Sequence, residues 1–350
     1  MKKRIICLVT ALMMISALFF GCADSGDNVN AVELPKPTGL YVTKSDNTVH
    51  WDAVENASGY KVKINGTEYE VKENYYTIEN ADYGKSYEIE VVAVGDGKNY
   101  SQSEVSTTNY TLPTLTTEQD ATSGIEYKLI GNTEVSVSKI KTVPINDIKG
   151  KLVIPDTYNG KFVTKIENSA FRAETVWDDI KLNKHHFEGA NITEIVFPVK
   201  LKRIGMQAFV GQFNLESVTI PNGAEIETYA FAGCSKMKTA IIGAKIIGSG
   251  AFANCSNLDS VTLIDTGVIY AGAFAKIKAD YLIIPESVVK VGQNIFNDTG
   301  KTIYYEGTQK KWENVADWQE DTCVYFYSEE KPSTEGMFWH YESNGKPVKW

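Results

Sequence analysis

The chain has 350 residues, of which 43% are hydrophobic and 23% charged, with a formal net charge of −9. That length accommodates two or three domains and a sizeable core, and the composition is that of a folded soluble protein rather than a disordered or fibrous one. With no basic surplus to neutralise phosphates, the charge argues against a nucleic-acid partner.

At the start, Lys2, Lys3 and Arg4 precede an apolar run from Ile5 to Phe20 that closes on Gly21-Cys22. A basic lead, a run marginal for spanning a bilayer and a small residue before cysteine predict a bacterial secretory signal over 1–21, similar to that of a lipoprotein. The resemblance implies that Cys22 carries lipid. Phe20 stands where a small or short aliphatic residue is usual, so an ordinary cleaved signal is the alternative. Loss of the three basic residues would take the charge to about −12, which suits a solvated extracellular face. The expected location is the cell surface, with the membrane reached through the lipid on Cys22, or the exterior if Cys22 is not lipidated. Residues 22–36 are rich in Ser, Asp, Asn and Gly and are expected to form a tether.

Residues 37–112 alternate with the two-residue period of strands: Val49 and Trp51, then Tyr60, Val62 and Ile64, then Tyr87, Ile89, Val91 and Ala93. Turn signals at Asn65-Gly66, Tyr83-Gly84 and Gly95-Asp96-Gly97 divide the stretch into about seven short strands, which predicts a β-sandwich. The runs PTGLYV, VHWDAVENASGYKVKING and ADYGKSYEIEVVAV resemble a fibronectin type III domain. That resemblance implies a core role for Trp51, a corner-pinning hydroxyl on Tyr87, and a spacer or docking module. Residues 113–148 begin polar and Thr-rich, as a linker or loosely packed edge. They continue as two strands around Gly131-Asn132, a hairpin expected to hide the open N-terminal edge of the next domain.

Residues 149–305 are repetitive. IENSAF at Ile166 is echoed by IGMQAF, IETYAF, IGSGAF, IYAGAF and VGQNIF, and Phe209, Phe231, Phe252, Phe274 and Phe296 recur at intervals of 22, 21, 22 and 22 residues. That period is a solenoid's. Between the echoes, LESVTIP and its counterparts alternate apolar and polar residues, predicting one short strand per coil. Phe171 and Phe209 lie 38 apart, so an insertion within 172–191 is expected to project from a coil corner. Alanine precedes phenylalanine in every echo but the last, where Ile295 replaces it, as a narrow coil interior requires. The units GCSKMKTAIIG and NCSNLDSVTLI are similar to the BspA-like class of leucine-rich repeats, which implies export, surface display and macromolecular binding without catalysis. The fold class expected is therefore mainly β, a sandwich followed by a leucine-rich repeat solenoid. Residues 306–350 read as an aromatic C-terminal cap: a helix carrying Trp312 and Val315, a strand CVYFY from Cys323, and a hairpin turning at Asn344-Gly345.

Function has to sit between the inward residues. Outward positions tile one face that grows more apolar toward the C-terminus, and Ile241, Tyr281, Ile283, Thr302 and Tyr304 are the candidate contact residues. Cys234 and Cys255 share a column with Gln212 and Ile277, which reads as packing rather than redox or metal chemistry. The insertion holds Asp178, Asp179, His185, His186 and Glu188 without a recognised metal spacing, and a solvated loop or short helix is expected there. No cofactor or catalytic motif emerges. The reading is a non-catalytic surface protein recognising a protein or glycan on host or neighbouring cells; the alternative is an accessory polysaccharide-binding protein that supports a partner enzyme.

Overall fold

The computed structural model describes residues 31–43, 47–79, 81–140, 149–179, 184–188, 191–297, 300–317, 322–333, 336–342 and 345–350, with the side chains of 139–140, 174–179 and 184–188 left aside. The signal, Cys22 and most of the tether fall outside these residues. No helix among the described residues is long and apolar enough to cross a membrane.

Two sheets share the first core. One orders strands Tyr41–Thr43, Thr48–His50 and Tyr75–Thr77; the other orders Thr67–Val71, Gly59–Ile64, Ser86–Val94 and Ser106–Thr111, all antiparallel. Asn65 and Gly66 both adopt positive φ, 48° and 84°, as a two-residue turn matched to strand twist demands. Trp51 is buried edge-on to Tyr60, and the Tyr87 hydroxyl accepts the Asp82 N–H at 2.7 Å, which fixes that corner. The tether ends earlier than expected. Val32–Glu33 pairs with Tyr100–Ser101 and Leu34 is buried in the sandwich, because an apolar side chain beside an unfilled sheet end gains by docking.

In the solenoid each coil contributes two strands, not one. A long row runs through Gly150–Val153, Ile192–Val196, Ser217–Ile220, Thr239–Ile242, Ser260–Leu263, Tyr281–Ile284 and Thr302–Tyr305. A short row runs through Lys161–Ile166, Arg203–Ile204, Glu225–Ile226, Ile246–Ile247, Val268–Ile269 and Lys290–Val291. Two-residue strands are too brief to alternate visibly, and their pairing is wholly between coils. The third side is the turn that carries phenylalanine, and it too is bonded between coils: Phe209 N–H to Ala230 O at 2.7 Å, Phe231 to Ala251 and Phe252 to Ala273 at 2.8 Å.

These bonds set the stack. Phe171, Phe209, Phe231, Phe252 and Phe274 are fully buried with consecutive centroids 5.1–5.6 Å apart and planes within 8° of parallel. Phe171 lies directly on Phe209, so the insertion leaves the stack undisturbed. It forms a hairpin, Glu174–Asp179 with Lys184–Glu188, in place of the loop or short helix expected. Alternation between its two arms is weak, so only the pairing reveals it. The residue two before each phenylalanine is left-handed, including Tyr229 at φ 57° and Gly250 at 60°. At Gly250 a Cβ would meet the Tyr229 ring at 2.3 Å, so glycine there answers both the backbone and the neighbouring coil.

The cysteine column is more than packing. Gln212 donates to Phe171 O at 2.7 Å, and the Cys234 and Cys255 thiols donate to Phe209 O and Phe231 O at 3.5 and 3.3 Å. Each satisfies the carbonyl of the preceding coil's phenylalanine, and burial pushes the Cys234 thiol pKa well up. One inward column, Leu215, Met237 and Leu258, continues as Ala279 and then Lys301, whose buried ammonium donates to Ile277 O and Lys278 O, both at 3.3 Å.

Both ends of the solenoid carry a cap. Ile125–Ile130 and Glu134–Ile140 form the expected hairpin, and the second of these strands pairs with Lys161–Ile166. The linker is not loose. Asp156, itself buried, accepts from Thr116 N and Oγ1 at 2.7 and 2.9 Å and from Val199 N at 2.6 Å, while Thr122 N–H bonds Val153 O. A buried carboxylate needs several donors, and the linker supplies them. At the other end, helix Gln309–Val315, capped by Thr308, packs Trp312 on Tyr305. Strands Cys323–Tyr327 and Phe338–Tyr341 extend the long row in parallel before Pro347–Lys349 turns back.

Candidate recognition face

The outward side of the long row splits into two regions. Toward the N-terminal coils it meets the sandwich across a groove of about 640 Å³. The sandwich wall is the edge strand Tyr41–Thr43. Tyr41 is 52% exposed and stacked on His50 at 4.9 Å, with Tyr75 beyond. The solenoid floor carries Val196, Ser217, Thr219, Ile241 and Ile264. Its one carboxylate, Glu194, is paired with Lys151 at 2.9 Å. Aliphatic and hydroxyl groups therefore dominate the floor, and one aromatic ring, Tyr41, stands on the wall beside Val42 and Thr43.

The two modules also meet at a junction outside the groove. Tyr83, on the sandwich corner, sits 6.3 Å from Phe162 and 5.7 Å from the Lys200 ammonium, and the adjoining Gly84 N–H bonds Leu112 O.

Toward the C-terminus, Tyr281 is exposed and Ile283 and Thr302 are half-buried. Tyr304 is not part of an open face: only 8% exposed, it packs against Trp339 at 5.3 Å and Tyr325 at 5.8 Å. The cap strands fold Trp339 over it, with the indole N–H on Tyr305 O at 3.0 Å, and Tyr327 and Tyr341 close the rest of the cluster. Outward parity did not reveal this because the covering side chain comes from 35 residues downstream.

Of the five candidate residues, the groove contains Ile241 alone. Ile264 has the same outward parity as Ser260 and Thr262 and could have been named from sequence. Tyr41 could not, since no local pattern says that a sandwich edge will face a distant coil. A second hollow of about 370 Å³ on the short row is lined by Arg203, Glu225, Glu227 and Tyr270, and there Arg203 and Glu227 pair with each other. Among the described residues no group of three or more His, Cys, Asp or Glu side chains is placed to hold a metal; the side chains of His185, His186 and their acidic neighbours lie outside them.

Residues 180–302 match the family model of the BspA type leucine rich repeat region in six copies. No curated protein sequence matches the chain. Among solved structures, the chain is similar to the pneumococcal vaccine antigen PcpA, at 20% identity over 57% of this chain and 50% of that one, with a TM-score of 0.37. It is also similar to the leucine-rich repeat protein of T. pallidum, at 14% identity over 58% and 84%, TM-score 0.36. A leucine rich cell surface protein of Faecalibacterium prausnitzii aligns at 19% identity over 65% and 59%, TM-score 0.35. The chain thus spans half the length of the first of these.

Proposed function

We propose that this is an exported bacterial surface protein, anchored through a lipid on Cys22, that recognises a macromolecule on host or neighbouring cells without catalysis. The observation that carries the reading is the groove between Tyr41–Thr43 and the solenoid floor, about 640 Å³ with Ile241 and Ile264 exposed in it. Exposed apolar side chains grouped in a concavity between two modules are what a binding site offers, whereas a spacer has no use for them. In this reading the sandwich is a fibronectin type III module that does more than hold the solenoid away from the membrane: it supplies one wall. Tyr281, Ile283 and Thr302 form a secondary contact strip beside the cap.

A protein ligand suits the aliphatic floor better than a glycan, which would require more hydrogen-bonding side chains around a stacking ring. The test is to pass the chain from Ala23 onward over immobilised extracellular-matrix proteins and over a glycan array, with hydrolysis of the array polysaccharides monitored in parallel. Saturable binding to a protein supports the reading, binding confined to glycans supports an accessory polysaccharide-binding role, and turnover of any polysaccharide overturns the non-catalytic assignment.

A further inference from the structure

The outermost strand of the short row's nine-stranded sheet is Ile125–Ile130, and among the described residues no strand pairs with its far side. Natural edge strands are blunted by bulges, prolines or charged side chains, lysine above all; this one has neither bulge nor proline, and its two charges, Glu126 and Lys128, are of opposite sign. The bulge in the hairpin falls on its partner, where Ser138 is the extra residue between the pairs Glu126–Lys139 and Tyr127–Val137. The edge itself is regular, and Leu129 and Ile130 are 61% and 37% exposed on it.

The hydroxyls of Ser138 and Ser136 reach Glu126 O and Lys128 O at 3.4 and 3.5 Å. Those carbonyls therefore face the hairpin partner, and the peptide groups of Ile125, Tyr127 and Leu129 face away from it. They form a template for another strand.

We infer that this edge pairs with the same edge of a second copy of the chain, joining two solenoids by a two-fold antiparallel contact at their N-terminal ends. Hydrogen-bonded and non-hydrogen-bonded positions alternate along an antiparallel pair, so a two-fold axis has to pass through a residue opposite itself. An axis at Glu126 sets Glu126 against its own copy, and one at Lys128 does the same with lysine. An axis at Tyr127 sets Glu126 against Lys128 twice and Ile125 against Leu129 twice. The segment IEYKL is complementary to its own reverse in that register alone. The Glu–Lys pairs then occupy non-hydrogen-bonded positions, where opposed side chains approach most closely.

Sedimentation equilibrium on the chain from Ala23, which keeps every described residue, tests this. A concentration-dependent dimer is expected. Glu126→Lys and Lys128→Glu singly create like-charge pairs and should raise the dimer dissociation constant roughly tenfold or more. The double reversal restores opposite charges and should return it near the starting value. Leu129→Lys, at an exposed position the fold does not need, should weaken the dimer with no loss of melting temperature. A strictly monomeric wild type, a dimer indifferent to both reversals and to Leu129→Lys, or a double reversal that melts like the wild type yet stays monomeric would each overturn the inference.

Discussion

Replacing Phe231 with alanine tests how the solenoid is held. Phe231 is fully buried, parallel-stacked on Phe209 at 5.1 Å and on Phe252 at 5.2 Å, and met edge-on by Phe197 at 6.4 Å. Removing such a ring from a core costs about 3 to 5 kcal/mol, more when the surroundings cannot close the gap. Here they cannot. The backbone bonds from Phe209 to Ala230 and from Phe231 to Ala251 keep the flanking turns at strand spacing, and the adjacent Ala230 and Ala251 carry only methyl groups, too short to fill the gap. The expected loss is therefore about 4 kcal/mol. Because each coil contacts only its neighbours, a mid-stack lesion should also uncouple the coils on either side and broaden the transition. Urea unfolding followed by far-ultraviolet circular dichroism measures both. A loss under about 1.5 kcal/mol with an unchanged slope would mean that the stack closes around the gap, refuting the rigid-ladder argument.

Tyr304→Ser should destabilise the chain by about 2 kcal/mol by opening the cluster around Trp339, whereas Tyr281→Ser should leave the melting temperature within a degree or so of wild type. Asp156→Ala strands three donors in a buried place and should cost about 3 kcal/mol, visible by hydrogen exchange as lost protection of the linker around Thr116. In the loop after strand Ser86–Val94, the Asp96 carboxylate accepts the backbone N–H groups of Tyr100, Lys98 and Asn99, and these lower its pKa to about 2. A depressed carboxylate favours the fold above its unfolded pKa and loses that contribution as pH falls through the folded one. The loop should therefore keep its amide chemical shifts at pH 4 and lose them between about pH 4 and 2, with Asp96→Ala abolishing the titration.

Much of this fold is legible in sequence because the solenoid repeats its instructions: inward Ile, Ala and Phe recur in register, and the structure buries them in register. The strands of the sandwich are legible for a related reason, since alternation and Asn-Gly turns are local. The features that are not legible depend on contacts between distant segments. The short row is invisible because two residues cannot show a period. Asp156 looks like any turn aspartate until Thr116 and Val199 converge on it. Strand parity agrees with the exposure of Ile241 and Tyr281 but not with that of Tyr304; it cannot say that Trp339 returns over Tyr304, nor that Tyr41 stands across from Ile264. The surface we propose for recognition is thus set by how the two modules and the cap fold against the repeats, more than by the repeats themselves.

That claim is tested most directly by the affinity of a ligand captured in the protein or glycan screen, measured by calorimetry for wild type, for Tyr41→Ser combined with Ile264→Ser, and for Tyr281→Ser. If the groove is the recognition site, the paired groove substitutions should weaken binding at least tenfold at unchanged melting temperature, with Tyr281→Ser costing little. Unchanged affinity in the groove variant, with binding lost in Tyr281→Ser, would contradict the account and return the site to the C-terminal strip.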